Sequence, residues 1–249
     1  MVIQLRNKRS ADKPIKLFDE IEVTYDSNRW SFLKKLRGKA EEIMKALHES
    51  ELEAMVHGSV ARGDVDAYSD IDIIIPYVVP SHKVESALTL KNFIIYSKKM
   101  TQATPNHAIK AHLYLDPFEK ISVTFPLIPF KDLELEFYKF GGLASLKELS
   151  NNIRVAGCTK KLTFIEPTLN GHKEFSIIGR ENEVAKRLNI TIDTVIERIR
   201  VLTRRDKIGR TGVFLDKKLK PDESFEHALK ELMDNNPAIR RVCFSRLNK

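Results

Sequence analysis

The sequence predicts an α+β fold: a small mixed sheet with helices against one face, followed by a β-hairpin connector and a basic, helical C-terminal domain. Three observations carry this. Two apolar runs, residues 52–57 and 71–75, flank a Gly-Ser turn, as adjacent buried strands do. Residues 29–50 place Phe32, Leu33, Leu36, Ala40, Ile43, Met44 and Leu47 at helical spacing, with Lys and Glu on the remaining face. Alternation rich in β-branched residues recurs on both sides of Asp116-Pro117, the mark of a hairpin.

Taken in order, residues 1–28 form an N-terminal arm, polar and basic at first, then alternating through Ile15, Leu17, Ile21 and Val23 as a strand would. Residues 29–130 form the first domain. Its amphipathic helix, 29–50, packs on a sheet whose first two strands are 52–57 and 71–75. A second helix is expected over 82–100, with Val84, Leu88, Phe93 and Ile94 inward, and the hairpin pairs 108–115 with 121–125. Residues 131–176 are a connector, in which an apolar-acidic stretch leads to Gly141-Gly142, a short helix covers 143–149, and Asn170-Gly171 signals a β-hairpin. Lys160 and Lys161 are expected to be exposed. Residues 177–249 make the last domain: a short helix at 181–188, a tight turn at Asn189, a longer helix at 192–205 with Ile192, Val195, Ile196, Ile199 and Leu202 on one face, and a closing helix at 223–233 capped by Asp222.

The chemistry concentrates in Met55 to Pro76, MVHGSVARGDVDAYSDIDIIIP. Side chains alternate along a strand, so Asp70 and Asp72 point to one face while Ile71, Ile73 and Ile75 point to the other. Two carboxylates held side by side repel unless a cation lies between them, and hard oxygen donors suit Mg²⁺ or Mn²⁺. Before them, Gly58 lets the backbone approach a phosphate, and Ser59 opens a short helix whose N–H groups favour an anion.

This arrangement resembles the signature of the DNA polymerase beta-like nucleotidyltransferase superfamily, a Gly-Ser followed after a short helix by Asp-hydrophobic-Asp on the next strand. Gly58 and Asp70 are 12 residues apart, and Ala61-Arg62-Gly63 and Ser69-Asp70 also look like the family. The resemblance implies that Gly58 and Ser59 hold a nucleoside triphosphate, with Arg62 and Ser69 as further nucleotide contacts, and that Asp70 and Asp72 ligate the metal. It also implies a third carboxylate on a later strand. Here residues 121–125 contain no acid, and the nearest candidates, Asp116 and Glu119, lie in a turn. His57, immediately before Gly58, either faces the phosphate site or is an ordinary strand residue.

Residues 177–214 separately resemble a winged helix-turn-helix. Ala185, Asn189 and Val195 fall where the motif wants a small residue, a turn former and an apolar residue, and residues 208–214 would be the wing. That resemblance places the second helix in a major groove, with Arg210 near the backbone. Asp193, Thr194 and Glu197 at the start of that helix oppose base readout, whereas Arg198, Arg204, Arg205 and Arg210 suit phosphate contact. Nucleic-acid binding and packing against protein both stay open.

Composition supports this distribution. Of the net charge of +8, residues 198–249 supply +7, from 14 basic and 7 acidic side chains, the balance a phosphate backbone attracts. No segment has the ~20 apolar residues of a membrane span and the N-terminus lacks the apolar core of a signal peptide, so a cytoplasmic location is expected, with no membrane partner. Cys158 and Cys243 have no metal-ligand spacing. The leading expectation is metal-dependent transfer of a nucleoside monophosphate from a triphosphate to an acceptor hydroxyl on RNA or DNA, with protein and small molecules as other acceptor classes. The alternative is a nucleotide-sensing, nucleic-acid-binding regulator with a weak or inactive transferase domain.

Overall fold

A computed structural model describes residues 18–209 and 212–247 of the chain. Arg210 and the first part of the arm, including Ile15 and Leu17, lie outside the described residues.

The long amphipathic segment forms α1 (Ser27–His48), which starts where the Asp26 side chain accepts from the Arg29 N–H at 2.7 Å. The glycine turn joins β2 (Met55–His57) to β3 (Ile71–Ile74) through α2 (Ser59–Arg62). After α3 (Ser81–Leu90) come β4 (Ser97–Gln102), β5 (Lys110–Tyr114) and β6 (Ile121–Pro126). Then follow α4 (Asp132–Phe140), β7 (Leu143–Ser145) and α5 (Leu146–Ser150). β2 pairs antiparallel with β3 and with β7, and β3 pairs parallel with β6, so the sheet is mixed as expected. On one face Ile71, Ile73 and Ile75 join Val123, Phe125, Ala111 and Leu113 in a core with Ile43, Met44 and Leu47 of α1 and Val84 and Leu88 of α3. Each such side chain, fully buried, contributes roughly 1.5–3 kcal/mol. The opposite face carries Asp72, Ser122, Thr124 and His112, and α4 covers one end of it by packing Tyr138 against His57.

Three expectations are corrected. The second helix ends at Leu90, and residues 97–102 are strand. Asn92, at φ 61°, turns the chain, and Lys98, Met100 and Gln102 alternate inward. Two of these buried residues are polar, which hides the period of two. Lys98 is satisfied by the Glu223 carbonyl at 2.7 Å and by Glu85, and Gln102 by the carbonyls of Pro105 and His107. Likewise residues 143–145 are strand, and only then does the capping box of Ser145 and Glu148 start α5.

The C-terminal segment is the larger correction. Residues expected to follow a wing form β11 (Leu215–Leu219), which pairs antiparallel with β4 and extends the first sheet to the order β11-β4-β5-β6-β3-β2-β7. α8 (Phe225–Asn235) and α9 (Pro237–Leu247) add Phe225, Ala228, Val242 and Cys243 to the same core as α1 and α3. Glu226 accepts from the Ser81 N–H and hydroxyl, both at 2.7 Å, and Arg246 reaches Glu134 and the Pro129 carbonyl. Residues 215–247 are thus the far edge of the first domain. The strand after the expected wing, residues 208–214, therefore pairs with β4 rather than with the helix pair; residues 210 and 211 of that wing lie outside the described residues. The α8 cap is Ser224 rather than Asp222.

The helix pair itself is present as α6 (Glu181–Leu188) and α7 (Ile192–Ile208), turning at Asn189 with φ 50°. It shares a core with a second, antiparallel sheet of β1 (Ile21–Thr24), β10 (Gly171–Ser176), β9 (Thr163–Thr168) and β8 (Gly157–Cys158), in that order. Phe164, Phe175, Ile177, Val184, Val195 and Leu202 pack together with Phe140 of α4. The connector hairpin and the helix pair are therefore one unit, with no boundary at residue 177 between separate cores. Among the described residues no helix is long and apolar enough to cross a membrane.

Candidate active site

β2 leads out of the core into Gly58, whose φ of 81° and ψ of −143° suit glycine. A Cβ there would meet nothing within 4 Å, so the space in front of this backbone is open. The turn is anchored from behind, where Gly58 N–H donates to the Gly142 carbonyl at 2.9 Å. Gly63, at φ 99°, ends the four-residue α2, and the following loop folds back until the Ser59 hydroxyl lies 3.2 Å from that of Ser69. Ser69 is held by the Asp66 N–H at 2.9 Å. The residues read as nucleotide contacts on either side of the loop thus meet.

Asp70 precedes β3, and Asp72 lies within it, exposed, while its neighbours Ile71 and Ile73 are buried. The strand register sets Asp72 between His57 of β2 and Ser122 of β6. The Ser122 hydroxyl donates to Asp72 Oδ1 at 2.9 Å. The resemblance implies a third carboxylate on a later strand; on β6 the residue beside Asp72 is Ser122, a hydroxyl. Asp116 cannot substitute: its carboxylate accepts from the N–H groups of Phe118, Lys120 and Ile121 and shapes the β5–β6 turn. Among the described residues no group of three His, Cys, Asp or Glu side chains is placed to hold a metal. Two carboxylates and a hydroxyl fit Mg²⁺, which keeps several waters and takes substrate phosphates as its other ligands.

Two further elements press on this centre. Gly141 and Gly142, after α4, have a packing role that sequence reading missed, although a double glycine is a signal of close approach. A Cβ on Gly141 would lie 2.2 Å from the His57 ring, and one on Gly142 2.6 Å from Arg62 Cγ. His57 is wedged against Tyr138, with ring centroids 5.2 Å apart, and Phe137, at 5.8 Å. Burial, reinforced by Arg62, outweighs the attraction of Asp72 and pushes its pKa down to about 4, so the imidazole is neutral near pH 7. Arg62, read as a phosphate contact, lines the cavity and also braces the loop from a buried position. It donates to the carbonyls of Gly141 and Cys158 and pairs with Asp64 at 2.9 Å, tying the loop to β8.

Farther along the same face, His112 lies between the hydroxyls of Thr101, at 2.8 Å, and Thr124, at 2.9 Å. Burial first, then Lys110 and Lys99, lower its pKa to about 3.

Residues of both sheets line one cavity of ≈ 1110 Å³. Its floor holds Gly58, Ser59, Ser69, Asp70 and Asp72, and its walls include Lys110, Lys131, Lys160, Lys161, Arg198 and Arg205. Lys160 and Lys161, read only as exposed, therefore border the site. Of the arginines expected at nucleic acid, Arg198 and Arg205 face this cavity, whereas Arg204 is exposed and does not line it. The start of α7, expected in a major groove, is docked on α4. Glu136 accepts from the Thr191 N–H and hydroxyl, at 3.1 and 2.6 Å, and from Thr194. Burial pushes the Glu136 carboxyl upward, but these hydrogen bonds hold it below its ordinary value.

No curated protein matches the chain. Residues 37–143, from the middle of α1 to the start of β7, match the family model described as nucleotidyltransferase domain, and that stretch contains Gly58, Ser59, Asp70 and Asp72. The cavity floor is therefore built by a segment similar to the nucleotidyltransferase superfamily, which supports nucleotidyl transfer as its general activity.

Proposed function

We propose that the protein transfers a nucleoside monophosphate from a nucleoside triphosphate to an acceptor hydroxyl, with nucleic acid as the acceptor class. The observation that carries this reading is the pair Asp70 and Asp72 facing the same cavity as the open backbone at Gly58-Ser59. In the reaction the acceptor oxygen bonds to the α-phosphorus, the bond to the pyrophosphate oxygen breaks in line, and the acceptor proton passes to water. A divalent cation bound by the two carboxylates would neutralise charge on the phosphates. Gly58 and Ser59 hold the triphosphate, Ser69 fixes Ser59, and Ser122 orients Asp72 by its hydrogen bond. The neutral His57 keeps extra positive charge away from the carboxylates. Lys110, Lys131, Lys160 and Lys161 around the opening, with Arg205, favour a polyanionic acceptor; the exposed Arg204 extends that surface.

Ser122 in place of an acid favours a second reading, in which the domain binds nucleotide and regulates with little turnover. Incubation with each α-labelled nucleoside triphosphate and Mg²⁺ or Mn²⁺, against RNA, DNA and the protein itself, separates the two. Label transferred by wild type and lost in Asp70→Asn/Asp72→Asn is the expected result. Transfer that survives the double substitution rejects the site. Metal-dependent nucleotide binding without transfer selects the regulator.

A further inference from the structure

Other arginines that point into this protein are held through their terminal guanidinium nitrogens, although their Nε atoms make no hydrogen bond. Arg37 donates to the carbonyls of Val60 and Ile153, Arg62 pairs with Asp64, and Arg246 pairs with Glu134. Arg198 differs. Its guanidinium lies over the Phe137 ring, 4.8 Å from the centroid, and among the described residues it makes neither a hydrogen bond to a carbonyl nor an ion pair with a carboxylate. Arg205, two turns along the same face of α7, lines the same cavity and adds a second positive charge. Burial and then Arg205 lower the basicity of Arg198 to about 10, and the nearby Glu197 raises it. An unpaired cation in the half-buried wall of a cavity suits a site that an anionic ligand completes.

Its position is also set. Thr194, one turn before Arg198 on the same helix face, is clamped to Glu136 of α4, and Phe137 is the next residue of α4. Phe137 in turn packs on His57, the strand partner of Asp72. The helix pair thus aims a guanidinium into the cavity that holds the two aspartates.

We propose that Arg198, supported by Arg205, is a phosphate-binding subsite for substrate in the wall of this cavity. A planar guanidinium with free N–H groups takes two phosphate oxygens at once, and the aromatic face of Phe137 holds it in place. This rests on the nucleotidyl-transfer reading, and the phosphate comes either from the polyphosphate of the nucleotide or from the backbone of the acceptor. In this arrangement α7 serves the active site rather than a DNA groove.

The test is calorimetric titration of wild type, Arg198→Met and Arg198→Lys with three probes: a non-hydrolysable nucleoside triphosphate with Mg²⁺, inorganic tripolyphosphate, and a single-stranded oligonucleotide. Methionine keeps the packing on Phe137 and removes the charge, so the variant should melt no lower than wild type. Arg198→Met should weaken at least one class of probe about tenfold or more, and lysine should recover part of the loss. Loss toward the triphosphate and tripolyphosphate places the nucleotide there; loss toward the oligonucleotide alone places the acceptor there. Unchanged binding of all three by Arg198→Met overturns the subsite. If that occurs while nucleotide binding still depends on Asp70 and Asp72, nucleotidyl transfer stands without it; if wild type binds none of the probes, both readings fall.

Discussion

Between pH 7 and pH 5 the native state should lose about 2 kcal/mol at His112, and His112→Gln should remove that loss. The ring is held neutral by burial and by Lys110 and Lys99, which lower its pKa from 6.5 to about 3. The unfolded chain therefore binds a proton through the window from about pH 6.5 down to about pH 3, where the native state does not. The stability is fully present above 6.5 and falls with pH by up to about 1.4 kcal/mol per unit. At pH 5 the loss depends on the unfolded value and is nearly the same for any native value below about 4, which makes the figure firm. For a chain of this size it corresponds to roughly 4–8 °C in Tm. Glutamine keeps a donor and an acceptor for Thr101 and Thr124 and carries no proton in this range. The assay is urea unfolding of both proteins at closely spaced pH values with EDTA present. His57, His172 and several glutamates with lowered pKa titrate in the same range, so the test is the difference: near pH 5 the variant's slope should be shallower than that of wild type by nearly one proton. A variant as steep as wild type, or a wild type flat between pH 7 and 5, refutes the argument.

Two other outcomes follow from the geometry. Ser122→Asp sets a third carboxylate beside Asp72; without metal the repulsion should cost on the order of 1 kcal/mol, and saturating Mg²⁺ should reverse it, as thermal melts with and without Mg²⁺ would show. An equal loss in both conditions means that no cation is held there. Arg246→Ala leaves the half-buried Glu134 carboxylate with only the Ala108 and Lys131 N–H groups and frees α9 from the Pro129 carbonyl, so it should cost about 1.5–3 kcal/mol in urea unfolding, whereas an independent C-terminal domain would leave the first core unaffected.

The sequence by itself determined the centre of the molecule. The period of two through residues 70–75 settles that Ile71, Ile73 and Ile75 enter the core while Asp72 faces away, and the 3.6-residue period of α1 settles which side covers them. The Gly58 turn is equally local, since its chemistry depends on one backbone angle. Tertiary structure decided what surrounds that centre. Ser122 meets Asp72 across 50 residues, β11 reaches β4 from more than a hundred residues away, and Arg62 closes on carbonyls that adjoin it only through the fold. The basic helix expected over 192–205 leaves nucleic-acid binding and packing against protein both open in sequence, and the Glu136 clamp docks its start on α4 and sets Arg198 over Phe137. The physical difference is one of range: side-chain periodicity and turn angles are properties of a few adjacent residues, whereas strand order, helix docking and the pairing of buried charges depend on which distant segments meet.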